Sequence, residues 1–417
     1  MYFELRPNLF FNRKVILVTL IVFTFRLCFA QSTIQGRVID HADKKPLAYV
    51  NVFLSNATFG GQTAADGSFS IKGIKAGTYE LVVSMVGFET QRQTITLNNE
   101  TLILPDIELS VKVIALHEVV IKPLDEAQRN RYLQIFTDQF LGPSSLAGSC
   151  KIINPSVIDF DPDFKTGVIN ATSSDFIVIE NEALGYRIKY LLTDFQYKTI
   201  GISSTVSFNG SVLFENLTGS EAQQARWKKK RKDVYEGSEM HFLRSLLHNS
   251  IEAEGFMVFQ LAVFKNPERP PDSLINTKIN HFNQLKDNKA KGSLWRDSLA
   301  IWTRYAQLPV IKSKLFEYPL NRSEIFKPTD RDGIYALGCE FDGLYIGYDK
   351  RHRQNKNPSA KQVHFDGDFS MVNFTSLYAF FDMNGWVLNP YSRTFSGTWG
   401  QYRVAGMLPA DYDPDLD

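Results

Sequence analysis

The residues that could do chemistry are few in type and scattered along the chain. Of the seven histidines, none has a glutamate three positions later and none sits in an HExxH pattern, so the ligand spacing of zinc hydrolases is missing. His241 and His248 are seven apart, which on a helix leaves them on roughly one face but ~10 Å apart along the axis, too far for one metal ion. Two acidic runs, "DFDPDF" at 159–164 and "DYDPDLD" at 411–417, could offer carboxylates to calcium. Both interpose proline and lack the glycine that bends an EF-hand loop. "WKKKRK" at 227–232 is the densest charge run, and "DKRHRQNK" at 349–356 is a second basic stretch. Acidic neighbours such as Glu221, Asp233 and Glu236 make the first a solvated helix face rather than a nucleic-acid patch. No GxSxG elbow, phosphate loop or dinucleotide fingerprint occurs. No catalytic residue, cofactor or metal ligand is therefore assigned. Trp386, Trp399 and Tyr402 stand as candidate ligand contacts, because aromatic faces can stack on sugars; packing is the competing role.

Positioning any such group needs a scaffold, and composition bounds it. The 417 residues are 44% hydrophobic and 13% aromatic, enough for real cores in two or three domains. Thirty-two Phe and 17 Tyr favour pleated structure. Net charge is +1, and without residues 1–30 the balance is 42 basic against 44 acidic, which gives no general pull toward nucleic acid. Those first residues place Arg6, Arg13 and Lys14 before an apolar run, Val15 to Phe25, and then the small-x-small triplet Cys28, Phe29, Ala30. That order predicts a secretory signal peptide at 1–30, cleaved before Gln31, and an exported protein of the periplasm, outer-membrane surroundings or cell surface. Eleven apolar residues fall short of the ~20 of a membrane span, and no later stretch reads as a transmembrane helix. Beyond Cys28 only Cys150 and Cys339 remain, too few for a disulfide framework; they stand as a possible pair or as two free thiols.

From Thr33 onward, short alternating segments recur every 8–12 residues. "TIQGRVID" is followed by "LAYVNVFLS", where Val50, Val52 and Leu54 share one face while Asn51 and Ser55 point the other way. Asp66-Gly67 supplies a tight turn. "SFSIKG", "GTYELVVSMV", "FETQRQTITL", "LILPDIEL" and "VIALHEVVIK" complete about seven strands, which predicts a β-sandwich over residues 31–122.

The motifs "GRVID", "KPLAYVNVFL", "TAADGSFSI", "GTYELVVSMVGFE" and "LHEVVI", in that order, resemble the carboxypeptidase regulatory-like domain, a transthyretin-like sandwich at the front of many Bacteroidetes secreted and outer-membrane proteins. The resemblance covers residues ~33–122 and implies a fold that is also at home in carbohydrate-binding proteins, not peptidase activity. Relatives often continue into a TonB-dependent receptor. Here ~295 residues remain, and a 22-stranded barrel needs ~220 for its strands alone, leaving no room for plug and loops.

Residues 123–142 are expected to be a helical linker, with Tyr132, Leu133, Phe136 and Phe140 on one face and Asp125 near its start. Residues 143–417 are expected to be a larger β-rich α+β domain resembling an uncharacterised Bacteroidetes family. Its helical stretch begins at the N-cap Ser220, "NPERPPDS" at 266–273 is an exposed loop, and Asn384-Gly385 is a hairpin turn. The fold class expected is mainly β. The function expected is a non-enzymatic envelope structural or binding protein, its partner an envelope protein or a polysaccharide and not nucleic acid. The alternative is a hydrolase, peptidase or glycosidase, with its site in residues 143–417.

Overall fold

The structure is a computed structural model and describes residues 31–112, 124–164, 166–200, 203–287, 294–338, 342–349 and 368–417. The expected signal peptide at 1–30, the last expected strand of the sandwich ("VIALHEVVIK"), Cys339 and most of the basic stretch 349–356 lie outside the described residues. The fold is mainly β.

Strands β1 (Ser32–Asp40), β2 (Asn51–Leu54), β3 (Gly60–Gln62), β4 (Ser68–Ile74), β5 (Gly77–Ser84), β6 (Gln91–Leu97), β7 (Thr101–Ile103) and β8 (Ile107–Leu109) form two sheets. One runs β4-β1-β7 with β8 also on β1, and the other runs β3-β2-β5-β6. Alternation delivers Val50, Val52, Leu54, Leu81 and Val83 to a shared core with Ile34, Val38, Ile71 and Leu109. The Asp66-Gly67 turn forms as expected: Gly67 has φ 76°, and a Cβ there would sit 2.5 Å from the Val38 carbonyl oxygen, so glycine is required. The reverse face of this second sheet is covered at its centre, while Glu80, Arg92, Thr94 and Thr96 stay exposed. Phe53 and Val82 are fully buried because Phe176 and Leu213 of the following region cover them, each burial contributing about 2 kcal/mol.

Helix α1 (Glu126–Leu141) opens on a capping box between Asp125 and Gln128. It is no linker. Phe136 and Phe140 stack at 4.7 Å, are fully buried, and meet Phe195, Tyr190 and Phe208. That core is closed by β9 (Cys150–Ile152), β10 (Ile158–Asp163), β11 (Val168–Ser173), β12 (Ile177–Asn181), β13 (Tyr186–Ile200) and β14 (Ser203–Asn216), ordered β10-β11-β13-β12-β9 with β14 on β13. Helix α2 (Glu221–Tyr235) starts at Ser220, whose side chain caps Gln223 as expected, and α3 (Glu239–Leu247) follows.

After β15 (Phe256–Lys265) the loop at 266–271 leads into two helices, α4 (Asp272–Asp287) and α5 (Leu294–Gln307). Next come β16 (Ile311–Pro319), α6 (Arg322–Ile325), β17 (Phe326–Pro328), β18 (Ile334–Leu337), β19 (Gly343–Tyr348), β20 (Asp368–Phe374), β21 (Ala379–Asp382), β22 (Arg393–Gly397) and α7 (Thr398–Gln401). They build the sheets β16-β15-β19-β20-β22 and β17-β18-β21 over a second body core that includes Phe242, Leu246, Leu344 and Phe381. Residues 143–417 thus hold two cores.

Residues 404–417 tie the parts together. Val404, Ala405, Leu408 and Tyr412 fill the α1 core, and the Ala410 amide donates to the Asn56 carbonyl of the front sandwich at 2.6 Å. Arg244 on α3 donates to the carbonyls of Asn384, Ala410 and Tyr412 at 2.8, 2.9 and 2.8 Å. No helix among the described residues is long and apolar enough to cross a membrane.

Candidate binding face

The residues singled out from sequence go to different places. Trp399 is 8% exposed: its indole N–H donates to the Gly237 carbonyl at 2.7 Å and its ring lies between Phe242 and Phe395. The short α7 turns it under the sheet, so it presents no face to a ligand. Trp386 is half-buried against the α1 core, its backbone amide donating to Asp382 at 2.8 Å. Only Tyr402 is exposed, with its hydroxyl pKa raised by partial burial. No ring contact joins the three among the described residues.

The charged motifs are occupied in structural roles. In "WKKKRK", Lys228, Lys229, Lys230 and Lys232 are exposed as expected, while Trp227 and Arg231, one turn apart, point inward. Arg231 is 6% exposed, donates to the carbonyls of Leu184 and Gly185, reaches Asp417 at 2.8 Å, and lies 3.9 Å over the Tyr186 ring. The second acidic run is distributed over three partners: Asp411 accepts from Thr58, Asp413 pairs with Lys75, and Asp417 pairs with Arg231. In the first run, alternation along β10 places Asp159, Asp161 and Asp163 on one exposed face of an edge strand. His241 is buried beside Tyr235 and Phe256; its Nδ1 accepts from the Gly237 amide at 3.1 Å and its Nε2 faces Glu254 at 3.3 Å. His248 is exposed at the end of α3. No cluster of three or more metal-ligating side chains occurs among the described residues. Cys150 carries a free thiol that burial pushes up to about 12.

What the fold does present is an aromatic strip on the sheet β17-β18-β21. In β21, Ala379 and Phe381 are fully buried, so the intervening Phe380 must face outward, and it is 38% exposed. Across the sheet Phe380 sits opposite Ala336, and Ala336 opposite Lys327. The Tyr378 ring lies 6.3 Å from Phe380, and Lys327 both donates to the Tyr378 hydroxyl at 3.1 Å and covers its ring at 5.2 Å. Asn389 locks this edge: its side chain accepts from the Phe380 amide at 2.7 Å and donates to the Tyr378 carbonyl at 3.0 Å. Leu388, hydrogen-bonded to the Phe380 carbonyl at 2.7 Å, and Leu377 extend the apolar surface, 44% and 81% exposed. Tyr391, half exposed, donates its hydroxyl to Asp194, whose carboxyl is raised by burial. Flat rings held on a rigid sheet, with an ammonium group beside them, suit stacking and hydrogen bonding. Sequence reading missed Tyr378 and Phe380, although the alternation in "YAFFD" marks them as the outward pair.

Comparison with known proteins bears on the front module. Residues 34–121 match the family model for the CarboxypepD_reg-like domain, so the front sandwich is a domain of that class. No curated protein matches the sequence at a significant level. Among solved structures, the chain is similar to the backbone protein of group B streptococcus pilus 2b, at 23% identity over 19% of this chain and 41% of that one, with a TM-score of 0.17. It is similar to a protein of Bacteroides uniformis named for carbohydrate binding, at 10% identity over 46% and 81%, TM-score 0.17. A membrane-associated protein of unknown function from Bacteroides fragilis is matched at 11% identity over 84% and 92%, also with a TM-score of 0.17. The chain spans 41% to 58% of the first three structures it matches, and none of these superpositions defines a fold for the body.

Proposed function

We propose that the protein is a non-enzymatic binding protein of the cell envelope that holds a polysaccharide on the strip formed by Tyr378, Phe380, Leu388 and Lys327. One observation carries the reading: Phe380 is exposed on a strand whose neighbouring residues are fully buried, so an aromatic face is presented by a rigid element rather than a mobile loop. Export through the leader at 1–30 and a periplasmic or surface location belong to the same proposal, supported by the order of charge, apolar run and small residues there. The front sandwich serves as a docked structural module, its Phe53 and Val82 covered by the body.

The test is affinity electrophoresis of the purified chain in gels cast with peptidoglycan fragments, xylan, laminarin or capsular polysaccharide. One matrix should retard the protein, and Phe380→Ala with Lys327→Ala should lower affinity at least ~10-fold, about 1.4 kcal/mol, with an unchanged melting temperature. Trp399→Phe should leave retardation intact. Retardation by no matrix, or retardation indifferent to the double substitution, refutes the proposal; shortening of the glycan would return the hydrolase reading.

A further inference from the structure

Tyr378 and Phe380 lie two residues apart along one strand edge, and the way each is seated limits what the pair can hold. A Cβ placed on Gly338 would fall 2.5 Å from the Leu377 carbonyl oxygen and 2.6 Å from Cδ1 of Tyr378. One side of the Tyr378 ring therefore rests on bare backbone that only glycine provides. The Lys327 ammonium is 3.1 Å from the Tyr378 hydroxyl and 5.2 Å from the ring centre, which puts it at the hydroxyl end of the ring. Phe380 stands opposite Ala336, so no large side chain crowds it from that strand. Asn389 bonds the backbone of both residues and holds the two rings in one arrangement.

That arrangement is not flat. The ring centres are 6.3 Å apart and the ring planes meet at 48°. The spacing is one at which aromatic rings touch, so a ligand cannot be wedged between them and must lie over both. A pyranose ring is close to a phenyl ring in size, so rings in contact are matched by sugars in contact, that is, by neighbours in a chain. A planar surface of packed sugars can lie on one of the two rings but not on both. Neighbouring sugars of a single chain turn about their glycosidic bonds and can meet each ring in its own plane.

We infer, given the polysaccharide-binding role proposed above, that the strip takes two consecutive sugars of a single twisted glycan chain running along β21, and not the face of a packed fibre. Lys327 and Leu388 border that path on opposite sides: Lys327 lies beyond Ala336, and the Leu388 amide donates to the Phe380 carbonyl at 2.7 Å from the other side.

Sugars of increasing length, prepared from whichever matrix retards the protein, serve as competitors in the same gels. The monosaccharide should fail to release the chain, the disaccharide should release it, and longer chains should add less than that first step. Tyr378→Ala and Phe380→Ala should each weaken retardation ~5-fold, with melting unchanged for Phe380→Ala at its exposed position. Particles of microcrystalline cellulose and chitin should capture no more of the natural chain than of Phe380→Ala. A monosaccharide that competes as well as the disaccharide, or a disaccharide that fails where longer chains succeed, overturns the inference while the binding role stands. So does full affinity without either ring, or capture on the crystalline particles that depends on Phe380. Retardation by no matrix removes the inference and the binding role together.

Discussion

Replacing Asp382 with asparagine should make the protein more stable at neutral pH. Asp382 is 4% exposed at the start of the Asn384-Gly385 turn, where one carboxylate oxygen accepts from the amides of Asn384 and Trp386 at 2.9 and 2.8 Å. Burial pushes the carboxyl up to about 6 from 3.8, outweighing those donors and the nearby charge of Arg244. In the unfolded chain the group returns to its ordinary value. The folded pKa is thus the higher one, so the stability this side chain contributes is fully present below pH ~4 and is lost as the pH rises through ~6. The gap between 3.8 and about 6 amounts to about 3 kcal/mol. An asparagine keeps an acceptor oxygen for the two amides and has no proton to lose. Urea unfolding of the wild type and Asp382→Asn in steps from pH ~4 to ~8 gives the difference between them, in which the other carboxylates cancel. That difference should move by about 3 kcal/mol in favour of the variant across the interval and then level off. A difference independent of pH would refute the reasoning, whatever its size.

Three further outcomes are expected. Arg231→Ala removes the guanidinium that pairs with Asp417 and donates to the Leu184 carbonyl, and should cost about 3–5 kcal/mol in chemical denaturation. Trp399→Ala should cost a similar 3–5 kcal/mol because it empties a packed site, whereas Tyr402→Ala should stay within about 0.5 kcal/mol. Cys150 should alkylate on the order of a thousandfold more slowly in the native chain than in the unfolded one near pH 8, read by peptide mapping, because its thiolate is scarce.

The front sandwich was legible because its signals are local: alternation, Asp66-Gly67, and strands short enough to be bounded by turns. Asp125 and Ser220 were readable as helix starts for the same reason. What stayed hidden depends on who covers whom. Phe53 and Asn51 look alike as reverse-face positions, and only the arrival of Phe176 and Leu213 separates them. Phe136 and Phe140 marked an apolar stripe correctly, but the identity of its partner, and hence core rather than linker, is a tertiary fact. Helices α4 and α5 went unread because "NPERPPDS" announces a loop, although Trp295, Leu299, Trp302 and Tyr305 do recur at helical spacing. The burial of Trp399 was hidden on the same ground: Trp399 and Phe380 differ in burial, not in type. Exposure is a property of the assembled surface.

The tie made by residues 404–417 also sets an order of events. The α1 core begins with Phe136 but is not closed until Val404, Leu408 and Tyr412 are in place, more than 260 residues later on a ribosome or through a translocation pore. Until then that core lacks those members, and the front sandwich lacks the backbone contact at Asn56. The front module can collapse early from its neighbouring strands, while the body must wait, as long-range closures do. An interrupted chain would therefore leave a folded head on a sticky, protease-sensitive body.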